Sequence, residues 1–374
     1  MSKIAVRYVS ACRDMSGYAA AARHYITALR GCNVVDLSLK ITSFEQTKIP
    51  HLEFEKVVEG CVDRPMHPAV QIVHLTPENF PAFRANGAYN IAYTAWETEN
   101  LPDGWAELLN SMDEVWTPSS WNKQVFKDSG VTKPITVIPH IIHMPSPVKN
   151  DSLNMPMVDP NSYLFYSIFQ WIERKNPYGL LKAYFTEFTP EDKVFLLLKT
   201  YRLNCSPEEK KMVRSEIDMV KRGLNLKYYP PVVFFGDLLS RDQIQCLHQR
   251  GDCYVSLQRG EGFGIPLAEA MSYGNPVVTS GYGGCLDFMN ANNSFLVPTQ
   301  RAPVYGMIFN NYNGKMTWGD PSIMEARKMM RYCYNNRTEV RSKGVQAETD
   351  IKNNYNTEVI GGLITKRLKE ITGA

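Results

Sequence analysis

Arg259-Gly260-Glu261-Gly262-Phe263-Gly264-Ile265-Pro266-Leu267-Ala268-Glu269-Ala270-Met271-Ser272-Tyr273-Gly274-Asn275-Pro276-Val277-Val278 is the stretch on which the fold turns. It follows an apolar run, Cys253-Tyr254-Val255-Ser256-Leu257, that reads as a buried strand. It then passes a glycine-rich turn, opens a short helix at Ile265-Pro266 and leaves through Gly274 into another strand. Glycines let a backbone pass close to a ligand, and the N–H groups at a helix start favour an anion. Glu261 lies on the loop and Glu269 on the second helical turn, so both can face the crevice at the carboxyl ends of an open α/β sheet. The chemistry divides cleanly, with N–H groups for phosphate and carboxylates for sugar hydroxyls. A tight loop with a capping Glu and a helix that merely packs is the competing reading, and the length of the pattern argues against it.

Outward from this stretch, strands and helices alternate in two blocks. The first holds Ile4–Val9, Val70–Leu75, Asn90–Thr94, Glu114–Thr117 and Ile135–Ile138 as strands, with helices at Tyr18–Leu29 and Ser119–Lys127. The second holds Tyr163–Ile168, Val194–Lys199, Val232–Phe235, Cys253–Leu257 and Pro276–Thr279 as strands. Its helices are Pro177–Phe188 and one opened by Ser206-Pro207-Glu208-Glu209, where a hydroxyl cap, a proline and two acids suit a helix N-terminus. Helical, amphipathic sequence is expected from Asp320 on. Pro139, Pro145, Pro147, Pro156 and Pro160 mark the stretch between the blocks as the linker candidate. The expected domains are 1–145 and 146–374, with the last helix able to pack back on the first.

Length and composition fit this plan. The chain has 374 residues, 44% hydrophobic and 21% charged, too many for one compact core and too apolar for disorder. Its longest apolar runs fall far short of a membrane span, and Lys3 and Arg7 interrupt the first apolar stretch, so neither a bilayer helix nor a secretory leader is expected. Eight scattered cysteines without a C-x-x-C pair are read as reduced thiols, and the expected location is cytoplasmic. Residues 1–149 carry 14 Lys and Arg against 15 Asp and Glu, and residues 150–374 carry 27 against 23. Neither half has the basic excess of a dedicated nucleic-acid binder, while the second suits an anionic small ligand.

The segment from Glu261 to Ala270 resembles the E-x7-E signature of family 4 glycosyltransferases, retaining enzymes of the GT-B fold. Glu173-Arg174-Lys175-Asn176-Pro177 is similar to that family's phosphate-binding segment, and Phe235-Gly236-Asp237 to its nucleobase-side turn. Trp96-Glu97-Thr98-Glu99 and the run from Asp113 to Ser119 resemble the N-terminal domain of a subset of the family. The resemblance implies two Rossmann-like domains facing each other across a central cleft, acceptor-side first and donor-side second. It implies that Glu269 accepts from ribose hydroxyls, and that Glu261 with Gly262 and the N–H groups of Phe263, Gly264 and Ile265 holds the donor sugar and phosphate. Lys175, with Arg174, would neutralise the departing diphosphate, Gly17 would let the first loop approach it, and Gly236 would lie by the base. The family's usual upstream Arg is replaced here by Phe169, so Arg174 or Arg259 is expected to supply the second cation. Glu97 stands where the family often has a histidine and is assigned to the sugar.

Other signals are weaker. His140-x-x-His143 has metal-like spacing without a partner cluster, and His74 either lines the cleft or sits satisfied in the core. Gly281-Tyr282-Gly283-Gly284 either approaches the donor or simply turns. There is no Asp-x-Asp, no G-x-x-x-x-G-K-[ST] and no H-E-x-x-H, so neither a cofactor nor a metal is expected beyond the donor substrate. Ser16-Gly17-Tyr18-Ala19 lacks the G-x-G-x-x-G of a nicotinamide dehydrogenase. The expected activity is retaining transfer of a sugar, hexosyl or pentosyl, from a nucleotide-sugar to a glycan or glycolipid hydroxyl. Transfer to hydroxymethylated bases of phage DNA is the alternative, and a non-catalytic sugar-nucleotide-binding protein the more remote one.

Overall fold

The computed structural model describes residues 3–44, 52–146, 153, 155 and 158–374. The chain divides into two compact units, Met1–His143 with Asn353–Ala374, and Met144–Lys352. Of the proline-rich stretch from Pro139 to Pro160, residues 147–152, 154, 156 and 157 lie outside the described residues.

The first unit holds a six-stranded parallel sheet. Its strands are β1 (Ile4–Ser10), β2 (Val35–Ile41), β3 (Val70–His74), β4 (Tyr89–Tyr93), β5 (Glu114–Thr117) and β6 (Ile135–Val137), in the order β2-β1-β3-β4-β5-β6. Helix α1 (Gly17–Gly31) starts on the Ser16 side chain, which accepts from the Ala19 N–H, and buries Ala22, Tyr25, Ile26 and Leu29. Shorter helices α2 (Leu52–Val58), α3 (Phe80–Phe83), α4 (Trp105–Asn110) and α5 (Ser120–Asp128) connect the strands. The sequence reading has no counterpart for β2, which lines the sheet edge beside β1.

The second unit builds its own six-stranded parallel sheet. Strands β7 (Tyr163–Gln170), β8 (Val194–Tyr201), β9 (Val232–Phe235), β10 (Cys253–Ser256), β11 (Val277–Ser280) and β12 (Phe295–Val297) run in the order β12-β11-β10-β7-β8-β9. Helices α6 (Pro177–Glu187), α7 (Pro207–Leu224), α8 (Arg241–Arg250) and α9 (Ile265–Ser272) follow β7, β8, β9 and β10. Leu180, Leu181 and Tyr184 of α6 join Leu196 and Leu198 of β8 and Val213 and Ile217 of α7 in one apolar core. An antiparallel hairpin, β13 (Thr299–Pro303) and β14 (Thr317–Pro321), precedes α10 (Ile323–Asn335) and α11 (Arg337–Asn354). Here the expectation of helix from Asp320 on is corrected. Asp320 pairs with Gln300 in the hairpin and is held by Arg259, and the helix begins only after the Ser322 cap.

Helix α12 (Thr357–Thr372) belongs to the first unit, placing Ile360, Ile364 and Leu368 inward along one face. Its Arg367 guanidinium meets Glu114 at 2.8 Å, a carboxylate that is 0% exposed within β5. Thr136, Trp116 and Tyr89 also donate to Glu114, so the charge buried mid-sheet is fully hydrogen-bonded. Among the described residues no helix is long and apolar enough to cross a membrane.

Candidate functional site

In the second sheet β7 and β10 lie side by side although the chain leaves them in opposite directions, toward β8 and toward β11. Such a switch point opens a crevice between the loops that follow the two strands. After β7 the chain turns through Glu173–Lys175, and Asn176, at φ 53°, caps α6 by accepting from the Gly179 N–H. After β10 come Leu257 to Gly264. The two loops are laced together, because the Arg259 N–H donates to the Arg174 carbonyl at 2.7 Å and the Arg174 guanidinium to the Gly260 carbonyl at 2.7 Å.

Glu261 sits at the centre of this lacing. Its carboxylate pairs with the Lys175 ammonium and lies 3.5 Å from the Arg174 guanidinium. Burial works to raise its pKa, but the two cations outweigh burial and hold it below its ordinary value. Arg259 is only 7% exposed and bonds both Glu173 and Asp320, at 2.7 and 2.8 Å, with its guanidinium 5.6 Å from the ring centres of Tyr305 and of Trp318. It therefore ties the β7 loop to the β13–β14 hairpin.

Beyond Glu261 the backbone turns into α9 through Gly264 at φ 98°, where a Cβ would come within 2.8 Å of the Leu267 side chain. Only glycine fits there. At the start of α9 the Ile265 N–H has no carbonyl one turn earlier to bond, Pro266 carries no N–H, and Leu267 and Ala268 already donate to the Gly264 carbonyl. Gly262 and Phe263 are buried, the Phe263 ring against Phe288 at 4.9 Å. One turn on, the half-buried Glu269 carboxylate has no hydrogen-bond partner among the described residues. Burial pushes it up to about 7, with Arg241 of α8 opposing. The Gly281–Gly284 turn resolves onto Glu261 itself. The Gly284 N–H donates to the Glu261 carbonyl at 2.8 Å, and a Cβ on Gly283, at φ 91°, would meet that carbonyl at 2.8 Å.

The structure thus gathers Arg174, Lys175, Arg259, Glu261, Gly262, Phe263, Gly264, Ile265 and Glu269 at one end of one sheet. Gly236 follows β9 in the same sheet, beside the ion pair of Lys210 and Asp237. Gly17 and Glu97 belong to the other unit. There Gly17 opens α1 with no atom within 4 Å of where a Cβ would stand, and Tyr18 reaches Thr94 and Ala95, on the loop that carries the half-buried Glu97. His74 and His140 sit in a buried network with Tyr8, Tyr25 and Tyr93, where burial lowers both imidazoles. No cluster of three or more His, Cys, Asp or Glu able to hold a metal occurs among the described residues. All eight cysteines are free thiols.

Sequence reasoning missed Lys199, which it took as the end of an apolar strand, and the Glu114–Arg367 pair. Neither has a local signal, since each acquires meaning from a neighbour remote in sequence.

Residues 204–305 match the family model described as Glycosyl transferases group 1. A search of curated proteins yields no match. Among solved structures, sucrose-phosphate synthase of Thermosynechococcus elongatus is similar with a TM-score of 0.71 at 11% identity, over 99% of this chain and 100% of that one. A glycosyltransferase of Rickettsia africae gives 0.69 at 14% identity, over 100% and 99%. HepE of Anabaena, solved with UDP and glucose, gives 0.68 at 13% identity, over 98% and 100%. At such identities the likeness is one of fold. The segment 204–305, which carries Glu261, Glu269 and Gly236, has the sequence pattern of the Glycosyl transferases group 1 family, set in a chain with the GT-B fold.

Proposed function

We propose that this chain is a retaining glycosyltransferase that moves a sugar from a nucleotide-sugar to a hydroxyl of a glycan or glycolipid. The observation that carries the reading is the Lys175–Glu261–Arg174 cluster at the β7/β10 switch point, beside the start of α9 and one turn from an unpartnered Glu269 carboxylate. Cations and helix amides there suit a diphosphate, and Glu269 suits the ribose hydroxyls. The acceptor oxygen bonds to the anomeric carbon as the bond from that carbon to the phosphate breaks, on the same face. The acceptor proton passes to the departing phosphate, and a nucleoside diphosphate leaves. Lys175 and Arg174 meet the charge that develops on it, and Arg259 positions them by holding Glu173. Because side chains and the helix start meet the leaving charge, turnover is expected to persist in chelator, and complete loss restored by Mn would count against this assignment.

Thermal-shift titration with nucleoside diphosphates and then nucleotide-sugars tests the reading. At least one diphosphate and its sugar conjugate are expected to raise the melting temperature, with diphosphate released once a glycan acceptor is added. No shift with any of them would overturn it, and transfer to hydroxymethylated duplex DNA alone would move the acceptor class.

A further inference from the structure

Strand β8 buries a lysine where its neighbours bury apolar side chains. Lys199 is 7% exposed and stands in register between Ile168 of β7 and Phe235 of β9. Alternation along the strand sets it on the face opposite Leu198, which belongs to the core beneath α6 and α7. That opposite face is the one against which α8 packs, since Tyr166, two residues before Ile168, meets His248 of α8 at 2.9 Å. Among the described residues the Lys199 ammonium makes no hydrogen bond and no ion pair, and it stands 5.8 Å from the centre of the Tyr201 ring. Burial lowers its pKa, Cys205 and Asp237 counter that, and Lys210 adds to it. Asp237 is already paired with Lys210. An ammonium without a protein partner, on a side chain otherwise covered, can meet a ligand's acceptor, and a strand end in an open α/β sheet is where ligands bind.

The place of Lys199 follows from the site already described. The diphosphate cluster lies at the β7/β10 junction, and the Glu269 carboxylate feels Arg241 at the start of α8, which follows β9. A nucleoside held by both therefore extends from the junction toward β8 and β9, where Lys199 and Gly236 stand. We propose that Lys199 reads the nucleobase of the donor by donating a hydrogen bond to a ring carbonyl oxygen, which selects uracil, thymine or guanine over adenine. Adenine has no carbonyl and presents an exocyclic amino donor on the corresponding edge, which would leave the ammonium unmet. This inference rests on the nucleotide-sugar reading above.

Calorimetric titration of UDP, GDP and ADP into the full chain and its Lys199→Met and Lys199→Arg variants tests it. The native chain is expected to bind UDP or GDP about 10- to 100-fold more tightly than ADP, the span of one charged hydrogen bond. Lys199→Met should lose that preference with ADP affinity unchanged, and Lys199→Arg should restore part of it. A preference that survives Lys199→Met overturns the proposal, as does equal weakening of all three, which would place the ammonium on phosphate. If Lys199→Met fails to fold, native affinity for ADP equal to that for UDP and GDP overturns it just as well. Failure of every diphosphate to bind the native chain would instead reject the nucleotide-sugar reading, and this inference with it.

Discussion

Both units close a six-stranded parallel sheet with helices, yet they finish its carboxyl end in opposite ways. In the first, Tyr8 meets His74 at 2.7 Å, Tyr25 meets Tyr93 at 2.5 Å, and both tyrosines reach His140 at 3.2 and 3.1 Å. Burial raises the tyrosines and lowers the histidines, so this network stays neutral and satisfies itself. A buried charge of the first unit, Glu114, is used to hold α12. In the second unit Lys175, Arg174, Glu261, Glu269 and Lys199 stand near the strand ends, and Glu269 and Lys199 have no protein partner among the described residues. The unpartnered charges of the second unit lie beside its paired Lys175–Glu261–Arg174 cluster, and perturbed, unmatched charges of this kind mark a place for a ligand's charges and donors.

The contrast can be broken at four points. The largest effect is expected from Arg367→Ala, which leaves the buried Glu114 its neutral donors but no cation. Losing one partner of a buried pair costs about 3–5 kcal/mol. Urea unfolding followed by circular dichroism should show it, while nucleotide affinity stays native; a loss under about 1 kcal/mol would mean Glu114 holds nothing. Next, Lys175→Ala should lower kcat by about 100- to 1000-fold with little change in donor KM, because its charge acts most in the transition state. Its stability should stay near native, since Arg174 still faces Glu261. A native kcat in steady-state kinetics would remove Lys175 from the chemistry.

Smaller still, Glu269→Ala should weaken nucleoside diphosphate binding by roughly 10- to 100-fold, and an unchanged dissociation constant would reject its ribose role. The finest probe is pH. The Glu269 pKa is raised from 4.5 to about 7, so its contribution to stability is full below the lower value and is lost as pH rises through the upper one. Nucleotide binding runs the other way, because ribose hydroxyls donate to the charged form. Affinity should therefore rise about tenfold between pH 6 and 8, with proton release near pH 7, and Glu269→Gln should flatten the rise. The same slope in Glu269→Gln would assign it to another group.

Much of the second unit was legible because its signals are local. Ser206, Pro207 and the two acids begin α7 as read, and Gly264 turns into α9 at the position where only glycine serves. What escaped falls into two kinds. Helix α8 opens on a capping box formed by Ser240 and Gln243, a signal present in the sequence but passed over. The β13–β14 hairpin offered little to find, since β13 is short and Gln300 and Arg301 are exposed, without the alternation that marks a half-buried strand. The site divided likewise. The residues of one loop could be read together, whereas the binding of Arg259 by Asp320, the bracing of Glu261 by Gly283 and the isolation of Lys199 depend on contacts made only after folding.

The first unit is written in two pieces and the second in one, as an insertion between residues 143 and 353. On the ribosome this sets an order. The second unit is fully synthesised before α12 exists, and residues 353–374 follow over seconds at about 5–20 residues per second. Until then the groove that receives Ile360, Ile364 and Leu368 lies open, and Glu114 has no guanidinium. A chain stopped at residue 352 would thus display an apolar strip and a stranded acid on its first unit, features that chaperones and proteases recognise. Helix α12 makes synthesis through residues 353–374 a condition for completing the first unit.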